Sequence, residues 1–229
     1  MQTSLIYRFV KRSFDILSSS VAMIILLPIW IIAVIGIEIS DPGPVFYCAR
    51  RLTKDNREFK MYKFRSMRVD KSANEKSLRP DQYRIFRFGK MMRATKMDEV
   101  PQILNVFFGD MSVVGPRPAA VDQADITRGG DNAVVASVKA GLTSPAALYD
   151  YLYGDSIEDE DEYMEKVAPV RLALDRYYIG KQTIGYDVRL IGETIICIFG
   201  TIIHRPPMRL LDELESAVSG DVLDVGRNL

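Results

Sequence analysis

The chain has 229 residues and a mass of 25.9 kDa, with 30 Lys and Arg against 30 Asp and Glu, a pI near 6.6 and a mean hydropathy near zero. That is the size of one domain able to bury its own core, and the balance excludes both a disordered tail and a uniformly basic nucleic-acid binder. Two cysteines, Cys48 and Cys197, form no disulfide framework or zinc cluster, and the single histidine, His204, leaves any chemistry to carboxylates, lysines and arginines. Such cysteine usage fits a reducing, cytosol-facing location.

The strongest local signal is at the N-terminus. Ile16 to Ile37 is an uncharged run, about 22 residues and about 33 Å long as a helix, enough to cover a bilayer core. It is too long for a signal peptide and no cleavage site follows it. Pro28 lies near its middle and predicts a break there. A re-entrant helix-break-helix, a spanning helix and a buried core helix are the three placements open to it. The basic flanks, Arg8, Lys11 and Arg12 before it and Arg50, Arg51, Lys54 and Arg57 after it, favour the re-entrant one, because both belong on the cytoplasmic side.

Ser40-Asp41-Pro42-Gly43-Pro44 closes that element. Val45 to Cys48 and Phe59 to Phe64 read as two short strands with a turn at Thr53 to Asn56, and Arg65 to Leu78 as a polar irregular stretch. Tyr83 to Met92 interleaves Arg and Lys with Ile, Phe and Met, which suits either an interfacial amphipathic element or an ordinary surface helix. Thr95-Lys96-Met97-Asp98 has the form of a capping box, and Pro101 precedes the apolar Ile103 to Phe108. Either Thr95 caps this helix or Pro101 opens its first turn, and both readings put Asp98 and Glu99 near a helix start. Gly109-Asp110 ends it, Val113 to Pro118 is a rigid turn around Arg117, and helices are predicted over 162–178 and 184–203. Past Pro206-Pro207 the tail reads as a short helix and a frayed end.

Charge is unevenly spread. Between Pro42 and Lys96 there are 16 basic residues against 5 acidic ones, whereas Asp150 to Glu165 is strongly acidic. Just past the basic block, Asp98 and Glu99 are adjacent carboxylates in a basic neighbourhood. They either complement a helix dipole or handle a diphosphate, one binding Mg²⁺ while the other attacks phosphorus. Arg117, held between two prolines, is suited to gripping phosphate or is a solvated turn residue. Lys60, Lys63, Arg65 and Arg68 alternate with Met61, Tyr62, Phe64 and Met67 and are either phosphate or headgroup contacts or the solvated side of a strand.

Several longer motifs carry a resemblance. They are Lys11-Arg12-Ser13-Phe14-Asp15, the apolar run with Pro28, Asp41 to Phe46, Phe59 to Met67, Arg87-Phe88-Gly89-Lys90, Asp98 to Val106 and Gly109 to Pro118. A weaker match extends through Leu174 to Tyr178, Asp187 and Thr194. Together these resemble the small monotopic phosphoglycosyl transferases, also called bacterial sugar transferases. The resemblance implies transfer of a phosphosugar from a UDP-sugar to polyprenyl (undecaprenyl) phosphate, releasing UMP, as the first membrane step of a surface glycan. It makes Asp98 the nucleophile of a ping-pong reaction, Glu99 with Asp98 the site of Mg²⁺ (or Mn²⁺), and Arg117 a phosphate ligand. Lys60, Lys63, Arg65, Arg87, Arg93 and Gln102 join as substrate-binding residues.

The fold this implies is α+β and mostly helical. A re-entrant membrane helix spans 1–41, a catalytic domain with a short hairpin and interfacial helices spans 42–205, and a tail spans 206–229. The expected location is the cytoplasmic face of the bacterial inner membrane. Expected partners are the two substrates, membrane lipids and a second copy in a homodimer, with no nucleic acid. A silent membrane scaffold and a metal-dependent lipid-diphosphate phosphohydrolase are the competing functions. Two departures stand out. The usual Arg-x-Gly-x-x-Gly turn is Arg51 to Asn56 here, and the segment Lys139 to Pro145 replaces an Arg-Pro-Gly-x-Thr-Gly motif. Leu27-Pro28 also replaces a frequent Ser-Pro, leaving Ser18, Ser19 and Ser20 as the nearest hydroxyls for the carbonyl freed at the break.

Overall fold

The computed structural model describes residues 5–69, 82–154, 157 and 159–202. Part of the polar stretch that ends at Leu78, part of the acidic segment and the whole tail from 206 lie outside the described residues.

The apolar run is divided between α1 (Leu5–Ile25) and α2 (Leu27–Ser40), which meet at a bend of 58°. Pro28 sits in the first turn of α2, where a missing N–H and a fixed φ are tolerated, so the break falls just before it, at Leu26. The Ser18, Ser19 and Ser20 hydroxyls do not serve the break. They donate back to the carbonyls of Phe14, Asp15 and Ile16 at 2.7, 2.6 and 2.7 Å, within α1 itself, the local bond that short hydroxyl side chains favour.

The hairpin comes next as β1 (Phe46–Leu52) and β2 (Glu58–Phe64), antiparallel from Phe46 opposite Phe64 to Leu52 opposite Glu58. The first strand is thus longer than its sequence suggested. At the positions of the two missing glycines Thr53 is extended, with φ of −118°, and Asn56 is left-handed, with φ of 54°, as is Asp55 before it at 56°, a region these short polar residues enter more readily than others. Beyond the hairpin lie α3 (Arg87–Ala94), α4 (Gln102–Phe108) and β3 (Ser112–Val114), then β4 (Ala119–Ala120), which adds to β1 to give the order β2-β1-β4. After α5 (Ala124–Arg128), β5 (Gly141–Thr143) pairs in parallel with β3. This pairing needs glycine: a Cβ on Gly141 would lie 2.1 Å from the Gly115 nitrogen.

Four helices complete the described chain: α6 (Pro145–Leu152), α7 (Glu160–Lys166), α8 (Ala168–Lys181) and α9 (Ile184–Ile202). The single helix expected over 162–178 is two, because Pro169 occupies the first turn of α8 and the chain breaks at Val167. Ser144, in the altered 139–145 motif, caps α6 by accepting the Ala147 N–H at 3.0 Å.

Three apolar clusters hold these elements. Ala33 and Ile37 pack with Phe64, Phe86 and Met92, joining α2 to β2 and α3. Phe59, Met61, Val106 and Met111 fill the space between hairpin and α4, while Leu148, Leu174, Tyr178 and Leu190 knit α6, α8 and α9. The α1–α2 pair is otherwise uncovered: Ile6, Phe9, Ile24, Ile32, Ile35 and Ile39 are each more than half exposed. A buried core helix is therefore not what the run forms.

Polar contacts fasten both ends of the pair to the same body. On α1, Arg12 donates to the carbonyls of Val106 and Phe107, both at 2.7 Å. Buried Asp15 accepts from the Ser112 hydroxyl and the Val113 N–H at 3.0 and 2.9 Å, and Lys11 pairs with Asp187 of α9. At the exit of α2, buried Arg65 pairs with Asp41 and donates to the Pro44 carbonyl.

Candidate active site

Asp98 and Glu99 lie on a short 3₁₀ turn, Met97–Glu99, between α3 and α4. The capping box does not form. Thr95 instead closes α3, its hydroxyl donating to the Met91 carbonyl at 3.0 Å, and Pro101 leads into α4. Between them Lys96 takes a left-handed φ of 55°, an unfavourable conformation for a non-glycine residue that reverses the chain just before the carboxylates.

Helix α4 holds the turn in place. Its Asn105 is fully buried and reads the backbone of β2 in both directions. The side-chain amide N–H donates to the Lys60 carbonyl at 2.8 Å and the side-chain carbonyl accepts the Tyr62 N–H at 3.0 Å. This fixes the registry of α4 against β2, and Lys63, the residue after Tyr62, reaches Glu99 at 2.8 Å.

Beside the turn is a cavity of about 570 Å³ whose lining includes six cations, Arg51, Lys63, Lys90, Arg93, Arg117 and Arg171, against three carboxylates, Glu99, Asp150 and Asp175. Five of the sequence-predicted residues meet here: Lys63, Arg93, Glu99, Gln102 and Arg117. Asp98 is 5% exposed and is not one of the lining residues, although it lies in the field of Lys63, Arg93 and Lys96. Lys60 and Arg87 are exposed and do not line the cavity. Arg65 is buried away from it, its guanidinium engaged with Asp41 and Pro44.

The two adjacent carboxyls are driven in opposite directions. Burial pushes Asp98 above the ordinary carboxylate range, with Lys63 opposing the rise and neighbouring Glu99 adding to it. Burial also works to raise Glu99, but the ion pair with Lys63 and the charge of Arg117 outweigh it and hold Glu99 well below its ordinary value. Glu99 is thus held as an anion while ionisation of Asp98 is disfavoured, a separation of two neighbouring carboxyls of the kind that acid–base sites use.

Sequence reasoning missed Arg51, Lys90, Arg171, Asp150 and Asp175. Arg117 pairs with Asp150 at 3.5 Å, and Asp150 accepts from the Tyr163 hydroxyl at 2.7 Å, to which Arg171 donates at 2.6 Å. Asp175 of α8 is 4% exposed, and burial lifts its carboxyl to about 7. A folded value above the unfolded one means that this group favours folding at low pH and opposes it as pH rises through about 7. Asp175→Asn is accordingly expected to raise the melting temperature relative to wild type at pH 8, with the gain shrinking toward pH 5, as thermal unfolding at the two pH values would show.

Among the described residues, no group of three or more His, Cys, Asp and Glu side chains is placed to hold a metal. Glu99 faces the cavity and Asp98 does not line it, so the turn offers Mg²⁺ one cavity-facing carboxylate, within the one or two that this ion takes before it completes its octahedron with water and substrate phosphate.

The family described as "Bacterial sugar transferase" matches residues 6–201. Over 200 residues the chain is 31% identical to a UDP-N-acetylgalactosamine-undecaprenyl-phosphate N-acetylgalactosaminephosphotransferase of Aeromonas hydrophila, covering 83% of this chain and 44% of that protein. It is 35% identical over 197 residues to the exopolysaccharide production protein PSS of Rhizobium leguminosarum bv. phaseoli, covering 81% of this chain and 93% of the relative. A UDP-glucose:undecaprenyl-phosphate glucose-1-phosphate transferase of Xanthomonas campestris pv. campestris is 35% identical over 190 residues, with 81% and 38% covered. The chain therefore spans less than half of the first and third of these relatives and nearly all of the second.

Proposed function

The chain belongs to the bacterial sugar transferase family, and we propose that it transfers a phosphosugar from a UDP-sugar to polyprenyl phosphate, releasing UMP. The observation that carries this reading is the carboxylate pair set beside a cavity lined by six cations, with Glu99 already neutralising Lys63. Cations in that number fit a diphosphate, and a carboxylate among them that burial has kept from being a stable anion fits a nucleophile.

In this mechanism Lys63, Arg93 and Arg117 bind the donor's diphosphate and draw charge from its oxygens. The Asp98 carboxylate turns toward the side on which Glu99 and Arg93 already face and attacks the sugar-bearing phosphorus. The new acyl phosphate bond forms as the bond to the bridging oxygen breaks, and UMP leaves with that electron pair. An oxygen of polyprenyl phosphate then attacks the same phosphorus and the Asp98 carboxylate is regenerated. Mg²⁺, held by Glu99 and Asp98, would supply further neutralisation of the diphosphate. No histidine is needed, because phosphoryl transfer asks mainly for positioning and charge stabilisation.

The α1–α2 pair supports a re-entrant seat on the cytoplasmic face of the membrane. No single described helix is long and apolar enough to cross a bilayer, but the bent pair together meets the length and composition of one. Its two ends are tied to one body, through Arg12 and Asp15 at the start and Arg65–Asp41 at the exit. That arrangement suits a helix pair that enters and leaves on one side, and exposed apolar surface of this extent calls for a lipid cover.

The test is UMP release by protein held in nanodiscs, with Mg²⁺, a panel of UDP-sugars and undecaprenyl phosphate present or absent. Release of stoichiometric UMP without acceptor, rising to turnover with it, is the expected result. Phosphosugar appearing in water instead of on the lipid would replace the transfer reading with hydrolysis, and no release with any donor would reject it.

A further inference from the structure

One part of the cavity has a chemistry that the diphosphate leaves unused. Asp175 and Asp150 line it together with Tyr163, and these carboxylates are interleaved with Arg117 and Arg171. Asp150 has its oxygens occupied by Tyr163 and the arginines. Asp175 does not: one carboxylate oxygen, Oδ1, is buried with no hydrogen-bond partner, although the residue lines the cavity and is nine-tenths buried. Such an acceptor is costly in a folded protein and calls for a donor that the protein's own groups do not supply.

The class of ligand is set by the acceptor. A carboxyl oxygen without a partner pairs with an O–H or N–H donor, which phosphate oxygens do not supply, so this part of the cavity suits a neutral group rich in such donors. Arg117 decides which part of the donor that is. It is felt by Glu99 on one side and paired with Asp150 on the other. A phosphate held between Glu99 and Arg117 is the reacting one, and the group bonded directly to it is the sugar, whereas the uridine lies one phosphate further away.

We propose that Asp175, with Asp150 and Tyr163, forms the glycosyl-recognition wall of the cavity and sets which nucleotide sugar the protein uses. This rests on the transfer reading above for its choice of ligand. Asp175 is the direct acceptor of a sugar hydroxyl or amide N–H. Tyr163 holds Asp150 and Arg171 in place, so it is a positioning residue. A site built to pair a particular donor discriminates strongly against an epimer that leaves the acceptor bare.

The experiment compares wild type, Asp175→Asn and Tyr163→Phe on UDP-glucose, UDP-galactose and their N-acetylamino counterparts, reading kcat/KM by UMP release and inhibition by added UMP. Expected for Asp175→Asn is a drop of about tenfold or more in the preference for the best donor over its epimer, with UMP inhibition unchanged. A smaller drop is expected for Tyr163→Phe, whose ring volume is kept, and this second variant serves if the first does not fold. Equal losses on all donors, or UMP inhibition weakening in step with KM, would overturn the proposal and assign the wall to structure or to the nucleotide. Binding of the same donors is monitored in parallel by the shift each causes in melting temperature. If wild type releases no UMP, the transfer reading fails alone. The wall is then decided by whether an epimer-dependent shift in wild type is present and lost in Asp175→Asn; its absence or persistence rejects the proposal.

Discussion

Asp98→Asn is expected to lower kcat by about 10³-fold or more, with a melting temperature within a few degrees of wild type. The substitution keeps shape and volume and removes only the charge that attacks phosphorus. Because burial already disfavours the Asp98 anion, a neutral amide there relieves a desolvation cost instead of creating one, so loss of activity would not be loss of fold. Intact mass after incubation with the UDP-sugar but no acceptor is the sharper readout. Wild type should gain one phosphosugar and Asp98→Asn none. Retention of more than about a tenth of wild-type turnover would remove Asp98 from the reaction.

Glu99→Gln makes the contrast informative. It breaks the ion pair with Lys63 and leaves that ammonium without its nearest anion, so it disturbs the cavity's electrostatics as well as the proposed metal site. Asp98 carries no such ion pair among the described residues, which is why its isosteric replacement isolates the chemical step.

How legible this site was depends on the distance over which each residue acts. The hairpin, the bend near Pro28 and the carboxylate pair arise from residues adjacent in sequence, and the structure places them within a few positions of expectation. Thr95 was ambiguous because its hydroxyl has two backbone options. It donates backward to Met91, and Lys96 reverses the chain in a conformation that no propensity argument favours. The helix over 162–178 failed at Pro169, whose ring is compatible with a first turn and so signalled a start inside what looked like a continuous pattern. Arg51, Arg171 and Asp175 enter the cavity from β1 and α8; Arg51 and Asp175 lie in segments that carry the resemblance, but nothing in those segments marks them as cavity residues. Only the packing of α8 over the 115–118 turn, far off in the chain, gives those side chains a shared ligand. Of the basic residues named in advance, Arg65 has its charge used in fastening the exit of α2, a role that alternation with apolar neighbours does not distinguish from phosphate contact.

Asn105→Ala should be the most damaging change outside the carboxylate pair. It removes a side chain that satisfies two backbone groups of β2 at once, the Lys60 carbonyl and the Tyr62 N–H, and it does so at a position with no exposure. Each orphaned group costs about 1–3 kcal/mol, so a loss of roughly 2–6 kcal/mol is expected, or a fall in melting temperature on the order of 5–25 °C. Activity should fall further than stability accounts for, because the same contact sets where Lys63 meets Glu99. Asn105→Asp separates the two effects. It keeps an acceptor for the Tyr62 N–H but places a carboxylate oxygen against the Lys60 carbonyl, so it should be less active than wild type even at temperatures where it is fully folded. Denaturation monitored by fluorescence, with UMP release at a temperature below both transitions, checks this. If the fully folded variants released UMP at wild-type rates, the registry of α4 on β2 would not be what holds the carboxylate turn in its working position.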